Sequence, residues 1–378
     1  MGFYQCYQEW KQFDFDGFLA GVDSQDVEEI LQKQQLGEED FLRLLSPAAG
    51  DYLEEMARRA HRLTVRNFGR VIRLYAPLYV SNYCDNACLY CGFREGKDGF
   101  KRRRLAPEEV AREAEIVADR GIRHILLLTG GSRKHSPVSY IKECVSILCD
   151  YFSSVAIEVY ALTRDEYEEV IEAGADGLTI YQETYSREVY EQLHPRGPKS
   201  DYRFRLEAPE RGCRAGMRFV NIGALLGLND WRQEAFFTGL HAGYLQDNYL
   251  ATRIGVSVPR LQEFPGGSFT PASPVSERSL VQILLAYRLF LPRVGITVST
   301  REPAKLRNNL LPLGVTKLSA ESSTAVGGYS ARETEGQFAI SDVSSVEKVR
   351  EMIRSQGYQA VSQYWQNLKK YGKISRKI

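Results

Sequence analysis

The chain predicts an α/β protein built as a closed (βα)8 TIM-type barrel, with a helical extension before it and helices after it. A recurring unit is the first reason: an amphipathic helix, a glycine at its end, then a short apolar strand. The second is the number of strand candidates, eight between 71 and 320, since strands alternating with helices imply a parallel sheet and eight imply closure. The third is that polar residues gather where almost every strand ends, which is the catalytic face of such a barrel. An open doubly wound sheet is the weaker alternative, because it does not use all the units.

Taken in order, residues 1 to 70 read as helices. Asp23-Ser24-Gln25 starts one whose Val27, Ile30 and Leu31 share a face, and Phe41, Leu42, Leu44 and Leu45 begin another after Gly37. The barrel is expected over 71–325. Its strands are Val71 to Val80, Ile125 to Thr129, Val155 to Tyr160, Gly177 to Tyr181, Met217 to Leu226, Ile254 to Pro259, Ile296 to Ser299 and Val315 to Ser319. Pro107 with Glu108 and Glu109 opens the helix after the first strand, and Gly121 closes it. Residues 326–378 are expected to pack on the barrel as a loop and helices. Two helices are read from 340 onward, with Val346, Val349 and Ile353 on one face and a basic tail after Tyr371.

The 378 residues are 43% hydrophobic and carry 49 Lys plus Arg against 48 Asp plus Glu, which excludes disorder and gives no general pull toward nucleic acid or anionic membrane. No stretch offers about 18 uninterrupted apolar residues, so a cytoplasmic protein is expected. Seven cysteines lie at 6, 84, 88, 91, 144, 149 and 213. A cytosolic chain of this size needs no disulfide staples, so the trio at 84, 88 and 91 reads as metal or redox chemistry.

That trio follows the first strand directly, at the functional edge. A stripe of small core residues at i, i+4 and i+7 fits poorly, because Asn82, Asp85, Asn86 and Gly92 surround it. Structural zinc wants a fourth ligand, and His124 or His135 would have to come from the next unit. An iron–sulfur cluster on three thiolates leaves one iron open to a substrate or cofactor.

Cys84-x-x-x-Cys88-x-Tyr90-Cys91 after strand one resembles the signature of the radical S-adenosylmethionine (SAM) superfamily. Pro77-Leu78-Tyr79, Cys91-Gly92-Phe93, Tyr181-Gln182-Glu183-Thr184-Tyr185, Val258-Pro259-Arg260-Leu261, Ser299-Thr300-Arg301-Glu302 and Gly327-Gly328-Tyr329 resemble, within it, the 2-iminoacetate synthase family of tyrosine lyases. The likeness spans essentially the whole chain, including Leu44-Leu45-Ser46-Pro47-Ala48. It implies a [4Fe–4S] cluster on Cys84, Cys88 and Cys91, with the SAM amine and carboxylate on the fourth iron. It implies cleavage of L-tyrosine to 2-iminoacetate and 4-cresol for the thiamine thiazole, with methionine and 5′-deoxyadenosine formed from SAM. Reduced flavodoxin or ferredoxin as electron donor and thiazole synthase as product acceptor follow from the same resemblance. A related maturation enzyme carries a second cluster on C-terminal cysteines; the last cysteine here is Cys213, so that second reaction is not expected. A tryptophan-type lyase is the enzymic alternative, and a zinc-stabilised scaffold is the alternative from another class.

The resemblance also implies site residues. Arg205 reaches the SAM carboxylate and Glu183 serves as acceptor. Gly130-Gly131 is the turn at the methionyl amine, Glu158 a ribose contact, and Tyr90 lies at the adenine edge. For the substrate, the position of Arg301 at the end of the seventh strand selects it to hold the carboxylate, with Ser299 and Ser319 as hydrogen-bond partners from the same barrel mouth; a structural pair with Glu302 or Glu321 is its competing role. Lys101-Arg102-Arg103-Arg104 reads either as a solvated face or as a site for phosphate or an acidic donor.

Overall fold

The computed structural model describes residues 2–97, 100–264, 269–331 and 335–362. Eight parallel strands close into a barrel: β1 (Val71–Ser81), β2 (His124–Thr129), β3 (Ser154–Glu158), β4 (Gly177–Thr179), β5 (Phe219–Gly223), β6 (Arg253–Ser257), β7 (Gly295–Val298) and β8 (Lys317–Ser319). Closure is made by β1, which pairs with β2 through Ala76↔Ile125 and with β8 through Leu74↔Leu318. Each strand lies within about two residues of its expected start, and β3 to β7 end one to three residues earlier than their apolar runs. Ala224 and Leu226 leave the sheet and keep only single bridges, to Glu183 and Arg260, so the chain bends over the barrel mouth.

Pro77 sits inside β1, where it can donate no ladder bond. Its carbonyl instead accepts the Tyr329 hydroxyl at 2.7 Å, tying the stretch after β8 to the first strand. A register irregularity between Tyr79 and Ser81 then lets the chain leave the sheet toward the cysteines.

The N-terminal helices cover the outside. Ser24–Gln32 starts at Asp23, whose side chain and that of Asp26 cap each other's backbone reciprocally. Gln282 donates to the carbonyls of Leu44 and Ser46 at 3.0 and 2.8 Å, docking the helical extension on Glu277–Phe290. Phe3 stacks on His241 with ring centroids 3.9 Å apart.

At the other end, Val346–Ser355 buries Val346, Val349 and Ile353 as expected. The second expected helix is corrected in part: Gln359–Val361 is a ninth strand, β9, parallel to β1. Arg73 pairs with both Lys317 and Val361, so β9 occupies the edge of β1 that β2 uses further along. A two-residue register period with Ala360 packed on the core suits an edge strand better than a helical turn. The basic tail after Tyr371 lies outside the described residues. Among those residues no helix is long and apolar enough to cross a membrane.

Candidate active site

The cysteine loop leaves β1 and is pinned from two sides. Asp85 N–H donates to the Gly131 carbonyl at 3.2 Å, and Ala87 and Leu89 N–H donate to the Arg196 and Leu193 carbonyls at 3.1 and 3.2 Å. Its own residues also support the sulfurs. Asn86 Nδ2 lies 3.5 Å from Cys84 Sγ, while Phe93 N–H and Gln337 Nε2 lie 3.4 and 3.5 Å from Cys91 Sγ. The basic run is a brace for this loop. Arg102 donates to the Asn82, Phe93 and Arg94 carbonyls, Arg103 pairs with Glu109 at 2.6 Å, and Arg104 reaches the His135 carbonyl at 2.9 Å. Three of its four cations are thus engaged within the chain, against the reading as an anion site.

Cys84, Cys88 and Cys91 line one cavity of about 230 Å³ together with Gly130, Gly131, Glu158, Glu183, Lys199 and Arg205. All three cysteines are free thiols. Burial pushes the Cys88 thiol up to about 12 and raises that of Cys91, so these sulfurs keep their protons until a metal replaces them. The glycine turn is built for close approach. A Cβ on Gly130 would lie 2.2 Å from the Tyr83 carbonyl oxygen, and one on Gly131 would lie 2.3 Å from Asn86 Nδ2 and 3.6 Å from Cys84 Sγ. Three thiols on one wall, a side-chain-free turn beside them and an acid and a guanidinium facing the same space fit a thiolate-held cluster with a zwitterionic ligand.

Glu183 and Arg205 meet there as expected, with a third partner that sequence reasoning missed. Lys199 Nζ lies 2.6 Å from Glu183 Oε1, and Arg205 Nη2 lies 3.7 Å from the same oxygen while its Nε donates to the Tyr181 carbonyl at 2.8 Å. Burial drives the Glu183 carboxyl up, and the Lys199 and Arg205 charges outweigh it to hold the group below the ordinary range. Glu183 adopts φ of 73°, in the left-handed region, which turns its side chain into the cavity side of the mouth. Nothing in the spacing of Pro198-Lys199 announces this lysine; it sits on a short 3-10 turn, Pro198–Ser200, after the helix Arg187–Leu193.

Tyr90 stands beside this cavity and not in its wall. It is buried behind Cys88 among Leu193, Leu225 and Leu228, and its hydroxyl lies 2.7 Å from His194 Nε2 and 3.2 Å from Lys199 Nζ. It does not stand among the cavity-lining residues, because the loop turns its ring inward. His194, for which the sequence offered no role, holds Tyr90 and lies 2.8 Å from the Tyr190 carbonyl through Nδ1.

A second, smaller chamber of about 60 Å³ adjoins the first, and Ser299, Arg301 and Ser319 line it. Tyr79, Leu128 and Glu158 belong to the walls of both. Ser319 Oγ accepts the Thr300 N–H at 2.9 Å and Ser299 Oγ that of Arg301 at 3.4 Å, which fixes the turn carrying the guanidinium. Arg301 lies 3.4 Å from the centroid of the Phe338 ring. Both competing carboxylates are taken elsewhere: Glu302 by Arg260 and Glu321 by Arg120 at 3.0 Å. Burial pushes Glu158 up to about 7, helped by the Glu183 charge and opposed by Arg301, Arg205 and Lys199. Tyr75, Tyr79 and Tyr181 also face this chamber. The two-residue spacing of Tyr75, Pro77 and Tyr79 was the signal for an inward row on β1.

Comparison with known proteins agrees with this geometry. Residues 78–238 match the radical SAM superfamily, and residues 257–359 match the Biotin and Thiamin Synthesis associated domain. The chain is 39% identical to 2-iminoacetate synthase of Escherichia coli K12 over 374 residues, 98% of each protein, and 38% identical to that of Salmonella typhimurium, covering 94% of this chain and 95% of the relative. The crystal structure of the FeFe-hydrogenase maturase HydG from Carboxydothermus hydrogenoformans superimposes with a TM-score of 0.84 at 30% identity, covering 94% of this chain and 82% of that one. The chain belongs to the 2-iminoacetate synthase family of radical SAM enzymes, which use a [4Fe–4S] cluster and SAM.

Proposed function

We propose that the chain cleaves L-tyrosine between Cα and Cβ to 2-iminoacetate and 4-cresol, and that Cys84, Cys88 and Cys91 hold the cluster for this reaction. The carrying observation is the wall shared by two chambers: thiols, Glu183 and Arg205 surround one, Arg301 surrounds the other, and Glu158 belongs to both. A [4Fe–4S] cluster held by Cys84, Cys88 and Cys91 would supply the electron for splitting SAM into methionine and a 5′-deoxyadenosyl radical.

The chain's own residues bind, orient and exclude water. Arg205 offers a guanidinium to the SAM carboxylate, and Glu183, oriented by Lys199, offers acceptor oxygens. Gly130 and Gly131 let the methionyl end approach the backbone. Glu158, at the end of β3, offers its carboxyl to a ribose hydroxyl in this reading. Arg301 takes the tyrosine carboxylate, with the Ser299 and Ser319 hydroxyls beside it, so the amine is directed toward the shared wall. Barrel closure keeps water from the reacting atoms.

The imine product hydrolyses in water, which supports direct delivery to a thiazole synthase. Reduced flavodoxin or ferredoxin is the electron source in this reading, and the seven free cysteines suit a reducing cytoplasm.

The test is anaerobic reconstitution followed by incubation with SAM, dithionite and L-tyrosine. Brown protein with about four irons per chain, releasing 4-cresol and 5′-deoxyadenosine, is the expected outcome. Release of 5′-deoxyadenosine with L-tryptophan and not with L-tyrosine would overturn the substrate, and Cys88→Ala with undiminished turnover would overturn the cluster site.

A further inference from the structure

The segment 336–342 runs across the barrel mouth and is tied down along its length. Gln337 N–H donates to the Thr324 carbonyl at 3.1 Å, the Thr324 hydroxyl donates to the Phe338 carbonyl at 2.9 Å, and Ser341 N–H donates to the Thr300 carbonyl at 3.0 Å. Gly92, next to Cys91, makes room for this strap: a Cβ there would lie 2.4 Å from the Gln337 carbonyl oxygen. Backbone thus rests on the cysteine loop, and the two central side chains serve different chambers. The Phe338 ring stacks on the Arg301 guanidinium in the smaller one, whereas Gln337 lines the cysteine cavity.

The Gln337 amide is engaged at both ends. Its Nε2 lies 3.5 Å from Cys91 Sγ, and its Oε1 accepts the Tyr79 hydroxyl at 2.9 Å. Tyr79 is buried and belongs to the wall that both chambers share. A thiolate has no proton to give, so once Cys91 is ionised only the N–H end of the amide can face it, and the Oε1 end takes the Tyr79 O–H. The three sulfurs are supported unequally. Among the described residues Cys91 has two donors, Phe93 N–H and Gln337, Cys84 has Asn86, and Cys88 has none. Of these three donors only Gln337 comes from outside the cysteine loop.

We propose that Gln337 is a positioning residue that sets the reduction potential of the cluster through the Cys91 sulfur, with Tyr79 holding its amide in the donating orientation. This rests on the reading of Cys84, Cys88 and Cys91 as the cluster ligands. Adding one electron makes the sulfurs more negative, and a hydrogen bond to a more negative acceptor is stronger, so the N–H···S bond stabilises the reduced form over the oxidised one. Hydrogen bonds to the sulfurs are one of the features that fix such potentials. The amide is neutral and keeps its protons, so it shifts the energy of the added electron without exchanging anything with the substrate.

The test is the midpoint potential of the reconstituted cluster, which takes one electron from dithionite in an anaerobic titration without SAM or L-tyrosine, followed by the EPR signal of the reduced form. Gln337→Leu should keep about four irons per chain and be harder to reduce, by about tenfold in the equilibrium constant, ~59 mV for one electron. Tyr79→Phe leaves the amide in place but free to turn, and should shift the potential in the same direction by less. Equal potentials in wild type and Gln337→Leu overturn the proposal. Should Gln337→Leu lose its iron, Tyr79→Phe carries the test, and an unchanged potential there overturns the proposal. A shift in Gln337→Leu with none in Tyr79→Phe overturns the part given to Tyr79. Wild-type protein without a reducible cluster would instead overturn the ligand reading on which this rests.

Discussion

Glu302 is held by Arg260 and not by its chain neighbour Arg301. Arg260 Nε lies 3.0 Å from both carboxylate oxygens of Glu302, and the carboxylate is almost wholly buried. The pair joins the segments that follow β6 and β7 at the mouth and leaves the adjacent guanidinium facing the smaller chamber. A buried carboxylate needs a partner, and supplying one from another strand keeps Arg301 available for an acid that arrives from outside.

Arg301→Gln should therefore raise the KM for L-tyrosine by about 10- to 100-fold, the worth of a lost hydrogen bond to a charged group. Arg260→Gln should raise it too, because Glu302 then competes for Arg301. Steady-state 4-cresol formation against tyrosine concentration checks both, and an unchanged KM in Arg301→Gln would remove the carboxylate assignment.

Lys199 and Glu183 are both largely buried, so Lys199→Met leaves the carboxylate with only the longer Arg205 contact in the cysteine cavity. The apoprotein should lose about 1–3 kcal/mol of stability, the worth of a hydrogen bond to a charged group, measured by denaturant unfolding, and SAM should bind more weakly by equilibrium dialysis. Lys199→Arg should recover part of both.

Glu158 binds its proton more tightly in the fold than in the unfolded chain, its carboxyl being raised to about 7. Its contribution to stability is therefore full at low pH and declines as pH rises from the ordinary carboxylate range through about 7. Thermal melts of wild type and Glu158→Gln across that window should show a shallower decline in the variant. Parallel curves would mean that Glu158 does not titrate there.

Gly130→Ala meets backbone, the Tyr83 carbonyl, whereas Gly131→Ala meets the end of the Asn86 side chain. The first must displace the cysteine loop; the second can be accommodated by rotating an amide. Iron content after reconstitution should accordingly fall further in Gly130→Ala, and equal retention in both would show that the turn has room to spare.

Much of the fold was legible because barrel strands are buried on both faces and read as short continuous apolar runs, several of them announced by a glycine that closes the helix before it, as Gly121, Gly174 and Gly216 do. Where a run continues past the sheet, as at Ala224 to Leu226, apolar composition alone gives no stopping point, because the mouth loops are buried as well. Gln359–Val361 was read as helix because three residues carry too little period to distinguish the two.

The cysteine spacing, the glycine pair and the residues at strand ends were determined by the sequence itself, since a thiol triad needs its members close in the chain and a barrel brings its strand ends to one mouth. Only the tertiary structure decided which of those residues share a chamber. It turned Tyr90 inward, brought Lys199 to Glu183, assigned Glu302 to Arg260 and laid Gln337 beside Cys91. Those are contacts between residues distant in sequence, and their partners follow from side-chain packing and charge compensation across strands, which no local spacing records.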